Sequence, residues 1–318
     1  MRSLMKFFIP IFVFTTVNCQ QIDLAHPPKA ATVFAENFIS TSMYERDFAI
    51  TPGGTEIYYT TMIPFSNFQT LVYCKRQGKK WTAPQVVSFS GKFSDLEPAF
   101  SADGKKLFFS SNRPLDGDKI KDFDIWYVER VNNGWSEPRN AGAPVNTAAD
   151  EFFPSVAANG NLYYTAQYKG GIGREDIYLS KWENGSYQPA TVLDTMVNSA
   201  VFEFNAFISP DEKFIIFSSQ GRKDEKGRGD LYISVKDGSD KWKQAKNLSI
   251  FNSDRLDYCP FVSADKKIFF FTSESHSLKR SFEKAVNYNE LVHTARQVRN
   301  GTGNIYWVDF SALDEYFK

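Results

Sequence analysis

Five acidic residues recur at matched points of the 318-residue chain: Glu45, Asp95, Glu151, Glu203 and Asp257. They follow one another at intervals of 50, 56, 52 and 54 residues. Brought to one place, five carboxylates would attract a hard, oxygen-liking cation such as Ca²⁺. They would equally attract the basic groups of a partner. A structural role competes with both: each acid can accept linker amides or pair with an arginine such as Arg113. Recurrence in every repeat favours that role, because a ligand site needs few residues. Ca²⁺ is the only cofactor these residues suggest. A second set of groups, Arg113, Arg174, Arg222 and Arg228, lies in charged, Gly-rich loops and could grip carboxylates or anionic sugars. The same loops read equally well as a solvated face.

Motifs for catalysis are missing. No His-Glu-x-x-His, Gly-x-Ser-x-Gly, Cys-x-x-Cys or Gly-x-x-x-x-Gly-Lys-Ser/Thr pattern occurs. The chain has only three histidines, and two of them, His276 and His293, fall in one locally basic stretch with Arg280, Arg296 and Arg299. A glycoside-cleaving pair of carboxylates needs no such motif, so the channel-mouth acids keep a hydrolase or lyase reading open.

The elements that must position these groups are strands. Each acid opens the same sequence of features. In the second repeat, Asp95-Leu-Glu-Pro-Ala-Phe-Ser-Ala-Asp-Gly ends at a tight-turn signal. The near-continuous apolar run Leu107-Phe108-Phe109 follows, as expected of a strand covered on both faces. A variable polar loop leads to Asp124-Ile-Trp-Tyr, matched by Asp176-Ile-Tyr-Leu, Asp230-Leu-Tyr-Ile and Asn304-Ile-Tyr-Trp. A fourth strand is predicted to begin near Trp81, Trp135, Tyr187 or Trp242. The period suits a four-stranded propeller blade. The last repeat lacks a fourth strand, and the stretch around Val33, Phe34, Phe38 and Ile39 resembles the one that ends blade one. The expectation is therefore an all-β, five-bladed β-propeller of four-stranded antiparallel blades over residues 20–318, closed by an N-terminal strand that completes the last blade. A polar residue five positions before each acid (Ser40, Ser90, Asn146, Asn198, Asn252) suggests a repeated turn cap. Phe282 to Val298 carries apolar residues at helical spacing and predicts a short helical insertion in blade five, either a recognition element or a stabilising lid.

The motif acid-x-x-Pro-x-apolar-Ser-x-Asp-Gly, the Ser111-Asn112-Arg113 triplet and the Asp-Ile-Trp/Tyr strand resemble the TolB-type, WD-repeat-like β-propeller repeats of bacterial periplasmic proteins. Asp95 to Tyr127 match best and blade one least, and the resemblance spans residues 45 to 310. It implies a propeller and a binding scaffold, and says little about the ligand.

Composition fits this reading. Lys+Arg 37 balance Asp+Glu 37, so no net positive field exists to attract nucleic acid. Aromatic residues make 16 % of the chain, which suits half-buried pleated surfaces. Residues 1–19 read as a secretion signal: Arg2 and Lys6 precede a run, Phe7 to Phe14, that is too short to span a bilayer. Cleavage before Gln20 and lipidation of Cys19 both fit. Cys74 and Cys259 are expected as buried free thiols. The expected protein is exported, periplasmic or outer-membrane-associated, and binds a protein or an envelope glycan without catalysis. A purely structural envelope component is a further reading.

Overall fold

The computed structural model describes residues 19–63, 67–132, 134–279 and 281–318. Residues 1–18 of the expected 1–19 secretion signal, and Arg280, lie outside the described residues. Five antiparallel sheets succeed one another along the chain, each opened by one of the repeat acids or its neighbour. Blade one comprises Tyr44–Ile50, Glu56–Met62, Gln69–Gln77 and Gln85–Val86, and blade two Asp95–Phe100, Lys106–Ser111, Asp124–Val131 and Arg139–Asn140. Blades three and four run from Glu151–Val156 to Thr191–Val192 and from Phe202–Ile208 to Lys246–Asn247. Blade five is Asp257–Val262, Ile268–Ser273, Asn304–Asp309 and, as its fourth strand, Thr32–Val33.

That last pairing closes the ring. Thr32 and Val33 lie opposite Trp307 and Tyr306, and the Phe34 amide donates to the Ile305 carbonyl at 2.8 Å. Phe34 is fully buried among Phe48, Phe270 and Trp307, with ring centroids 5.2–5.3 Å apart. The N-terminal strand covers what would otherwise be the long exposed edge of Asn304–Asp309, leaving only a two-residue outer strand as the edge of blade five.

The packing follows from the second strands. Ile57, Leu107, Phe109, Leu162, Tyr164, Ile215, Phe217, Phe269 and Phe270 are all fully buried, since each blade is sandwiched between two others. The aromatics Trp81, Trp135 and Tyr187 do not open the fourth strands. They belong to short hairpin extensions off the third strands, and the fourth strands follow a few residues later as two-residue pairings. In blade three this extension is a separate hairpin, Trp182–Glu183 with Ser186–Tyr187. Its Asn184-Gly185 turn has φ of 52° and 81°, the two left-handed residues that a type I′ turn needs.

The insertion of blade five contains a single helix, Tyr288–Ala295, capped at its start by reciprocal hydrogen bonds between Asn287 and Glu290. None of its residues is buried. A 3₁₀ segment, Phe310–Phe317, ends the chain and packs Leu313 and Phe317 against blades four and five. Among the described residues no helix is long and apolar enough to cross a membrane.

Candidate functional site

The repeat acids sit in the joints between blades. The amides of Glu45, Glu151, Glu203 and Asp257 donate to carbonyls just ahead of, or at the loop before, the preceding blade's third strand: Gly303, Phe123, Glu175 and Gly229, at 2.8–2.9 Å. Their carboxylates turn back on the linker. Glu45 accepts from the Thr41 amide and hydroxyl, Glu151 from those of Thr147, Glu203 from those of Ser199 and Asp257 from those of Ser253. Asp95 accepts from the hydroxyls of Ser90 and Ser111. All five are 0–2 % exposed, and none lines the cavity on the channel axis. The ring expected at a channel mouth is thus spread over five separate joints. The inward-facing position is two residues further along each strand. Burial pushes the carboxyls of Glu45 and Asp257 up, to about 7 and about 6. Among the described residues no three His, Cys, Asp or Glu side chains gather as a metal-ligand set.

The polar residue five positions before each acid completes the joint. Ser40, Ser90, Asn146, Asn198 and Asn252 accept from the amides of Ile305, Leu71, Ile125, Ile177 and Leu231, the second residue or so of each third strand. The linker is thereby fastened to the blade it leaves.

The four arginines divide two and two. Arg113 pairs with Asp95 at 2.6 Å, donates to the Phe89 carbonyl and lies over Phe109 and Trp126. Arg222 pairs with Glu203 at 2.9 Å and lies over Tyr232 and Phe217. Both are joint residues. Arg174 lies over Phe202, and both it and Arg228 are exposed. The four do not form one cluster. Cys19 is exposed and directly precedes the strand Gln20–Gln21, which pairs with Lys80–Trp81. Cys74 and Cys259 are buried and unbonded to each other.

What does converge on the axis is the residue two places after each acid. Asp47, Glu97, Phe153, Asn205 and Cys259 all have left-handed backbones, with φ of 59°, 62°, 50°, 49° and 51°. Each falls in a β-bulge of the innermost strand. Arg46 binds Asp47 Oδ1 through Nε at 2.8 Å and Glu97 Oε1 through Nη2 at 3.1 Å. The other Glu97 oxygen accepts the Phe153 amide at 2.7 Å, and Asn205 Nδ2 reaches Oε1 at 3.3 Å. The Cys259 thiol donates to Asn205 Oδ1 at 3.6 Å. Burial raises the Glu97 carboxyl, with Arg46 opposing. On one side Tyr44, Phe152, Phe204 and Tyr258 roof the network. On the other a cavity of about 260 Å³ runs along the axis, lined largely by proline, phenylalanine and alanine side chains. This set is hard to find from sequence, because its five members share a backbone conformation and no common side chain. The only signal is their constant offset from the acids.

A larger groove, about 830 Å³, lies between blades two and three. Trp182 and Tyr187 from the hairpin meet edge to face, with centroids 4.7 Å apart, and Trp182 is 39 % exposed. Opposite them on blade two stand Tyr127, Lys106 and Glu129. Lys106 Nζ lies 5.0 Å from the Tyr127 ring centre, 6.0 Å from that of Trp182 and 3.4 Å from Glu129 Oε1. Trp182 rests on the Gly160 turn so closely that a Cβ there would come within 3.1 Å of the indole. Gly160 also has φ of 91°, so glycine is needed twice over. The Asn184-Gly185 pair could have revealed this hairpin, and with it the exposed indole, from sequence.

No family model and no curated protein matches the chain. Solved structures do. A glycoside hydrolase matches with a TM-score of 0.52 and 10 % identity, over 92 % of each chain. The catalytic domain of a Coprinopsis cinerea GH62 α-L-arabinofuranosidase matches at 0.50 and 8 % identity, over 89 % of this chain and 95 % of that one. TolB from Acinetobacter baumannii matches at 0.46 and 13 % identity, over 83 % of this chain but only 54 % of its own length. At these identities the likeness is one of fold.

Proposed function

We propose that this protein is an exported, glycan-directed β-propeller whose binding site is the groove between blades two and three. The exposed Trp182 ring, stacked edge to face on the half-buried Tyr187 and facing Lys106 and Glu129, carries the reading. A sugar ring has an apolar face and a hydroxylated rim, so it needs a flat aromatic platform beside charged hydrogen-bonding groups, and this groove offers both. The groove's volume lies within the range of small-ligand sites. Two of the fold neighbours, the glycoside hydrolase and the α-L-arabinofuranosidase catalytic domain, act on carbohydrates, which agrees with this choice of ligand. Calorimetric titration with arabinose-containing and other neutral oligosaccharides tests it. Saturable binding is expected, and Trp182→Ala should weaken it by about 1.5–3 kcal/mol, roughly ten- to a hundredfold. Unchanged affinity in that variant refutes the groove. Absence of any saccharide binding favours a protein ligand or a purely structural role.

One observation favours hydrolysis as a second reading. Asp47 and Glu97 share the Arg46 guanidinium, and a carboxyl raised as Glu97 is suits a proton donor near neutral pH. Against it, both Glu97 oxygens are already bonded and an aromatic roof covers the pair. Release of reducing sugar that disappears in Glu97→Gln but survives in a groove variant would establish it. Export and a lipid tether on Cys19 rest on the leader-like segment. The mass of the mature N-terminus decides between an acylated Cys19 and an unmodified Gln20.

A further inference from the structure

The basic stretch of the blade-five insertion borders a second, open cavity of about 830 Å³, between the helix and the rim of blade five. Its walls include Arg296, Arg299 and His293 from the insertion, Ser275 at its entry and Tyr306 from the third strand; Glu36 is the one acidic residue of the lining. Among the described residues neither Arg296 nor Arg299 has a carboxylate partner. This sets them apart from Arg113 and Arg222, whose guanidiniums are consumed in the blade joints.

Two donors in the cavity are incompletely satisfied. Arg299 Nε and the Tyr306 hydroxyl are buried and make no hydrogen bond of normal geometry among the described residues, although Arg299 and Ser275 lie close enough to the phenol to interact with it. Tyr306 is only 9 % exposed. A buried polar atom without a partner is costly, so native structures rarely leave one. Here two stand together on one wall. Arg299 is also held in place at a backbone cost. Its φ is 62°, and its amide and carbonyl are tied to Asn304 Oδ1 at 2.8 Å and to the Ser277 amide at 3.1 Å. Val298, buried beside it, anchors the segment. The helix ends at the same cavity and presents roughly half a negative charge there. Two full guanidinium charges outweigh it.

We propose that this cavity binds an oxyanion carried on a small polar body, such as a sugar acid or a phosphorylated sugar. Arg299 and the Tyr306 hydroxyl would grip the anionic group while Arg296 supplies a second charge. The cavity is far roomier than a bare inorganic ion requires, so the carrier occupies the remainder. The site is separate from the groove between blades two and three, and the two stand or fall independently.

Calorimetric titration of the mature protein with glucuronate, glucose 6-phosphate, glucose and inorganic phosphate, at fixed ionic strength, tests the proposal. Either or both acidic sugars should bind, and glucose should not. Affinity should fall as salt rises. Arg299→Gln should weaken binding roughly ten- to a hundredfold, with Trp182→Ala without effect. Arg296→Gln, at an exposed position, provides the charge test should Arg299→Gln misfold. Inorganic phosphate binding as tightly as the sugar phosphate would reduce the site to an ion site and overturn the carrier. Equal affinity for glucose, unchanged affinity in both arginine variants, or no binding of any anion overturns the proposal.

Discussion

Phe34→Ala puts the ring closure to a quantitative test. The phenyl group is fully buried and stands edge-on to Phe48 of blade one and to Phe270 and Trp307 of blade five. It is therefore the side chain through which the N-terminal strand bonds the first blade to the last. Removing a buried phenylalanine costs about 3–5 kcal/mol, of which the edge contacts account for part. Unfolding entropy near 2.1 cal/mol/K per residue over about 300 residues gives roughly 0.6 kcal/mol/K. A loss of about 4 kcal/mol then lowers Tm by about 6 °C. Urea unfolding of the mature protein, followed by tryptophan fluorescence, reads the same loss as a shift in midpoint at constant slope. Leu291→Ala, on the exposed helix, serves as the control and should stay within about 0.5 kcal/mol. A Phe34→Ala penalty below about 1 kcal/mol would mean that the N-terminal strand is not integral to the ring, and the argument for closure would fail.

Arg222→Ala leaves Glu203 buried and unpaired, and should cost about 3–5 kcal/mol by denaturation, whereas Arg174→Ala, exposed, should cost under about 0.5 kcal/mol. Because burial raises Glu45 to about 7 and Asp257 to about 6, the folded protein holds these protons more tightly than the unfolded chain does. This stabilisation is complete below about pH 4 and is lost as pH rises through 6–7. Their contribution should lower Tm between pH 5 and pH 8, and Glu45→Gln should flatten the slope. Burial pushes the Cys74 thiol up to about 12 and Cys259 well above its usual value. A thiol reagent at pH 8 should therefore label neither until the protein unfolds, and fast labelling of the native state would contradict the packing. Gly160→Ala forces a Cβ against the indole of Trp182 at a left-handed turn, and oligosaccharide affinity should drop with it.

Much of the architecture was written in the repeat. The acids, the polar residue five positions earlier and the apolar second strands keep their spacing because each serves a joint or a sandwich that recurs in every blade. The N-terminal partner of blade five was legible for the same reason, since Val33 and Phe34 imitate the close of blade one. The candidate sites were harder to read. Expecting carboxylates at the channel mouth ignored the bulge, which turns a different residue inward. The axial set of aspartate, glutamate, phenylalanine, asparagine and cysteine offers no common side chain to search for. The Trp182 hairpin is masked because Tyr187 stands where the other repeats carry the aromatic before their fourth strands, although Asn184-Gly185 marks it. The C-terminal 3₁₀ segment left no repeat signal at all.

The axial network also bears on how many repeats the protein can hold. Arg46 and Glu97 tie the first two blades together, the Phe153 amide ties the third, Asn205 the fourth and Cys259 the fifth. Every repeat contributes to the network, blade one through both Arg46 and Asp47, and contacts from Glu97, Phe153, Asn205 and Cys259 link neighbouring contributions. Duplicating or deleting a unit would leave a buried charged or polar group without its partner, at about 1–3 kcal/mol. Stoichiometry at the hub of this toroid therefore disfavours a change in copy number, and unequal recombination among its look-alike segments should yield less stable products.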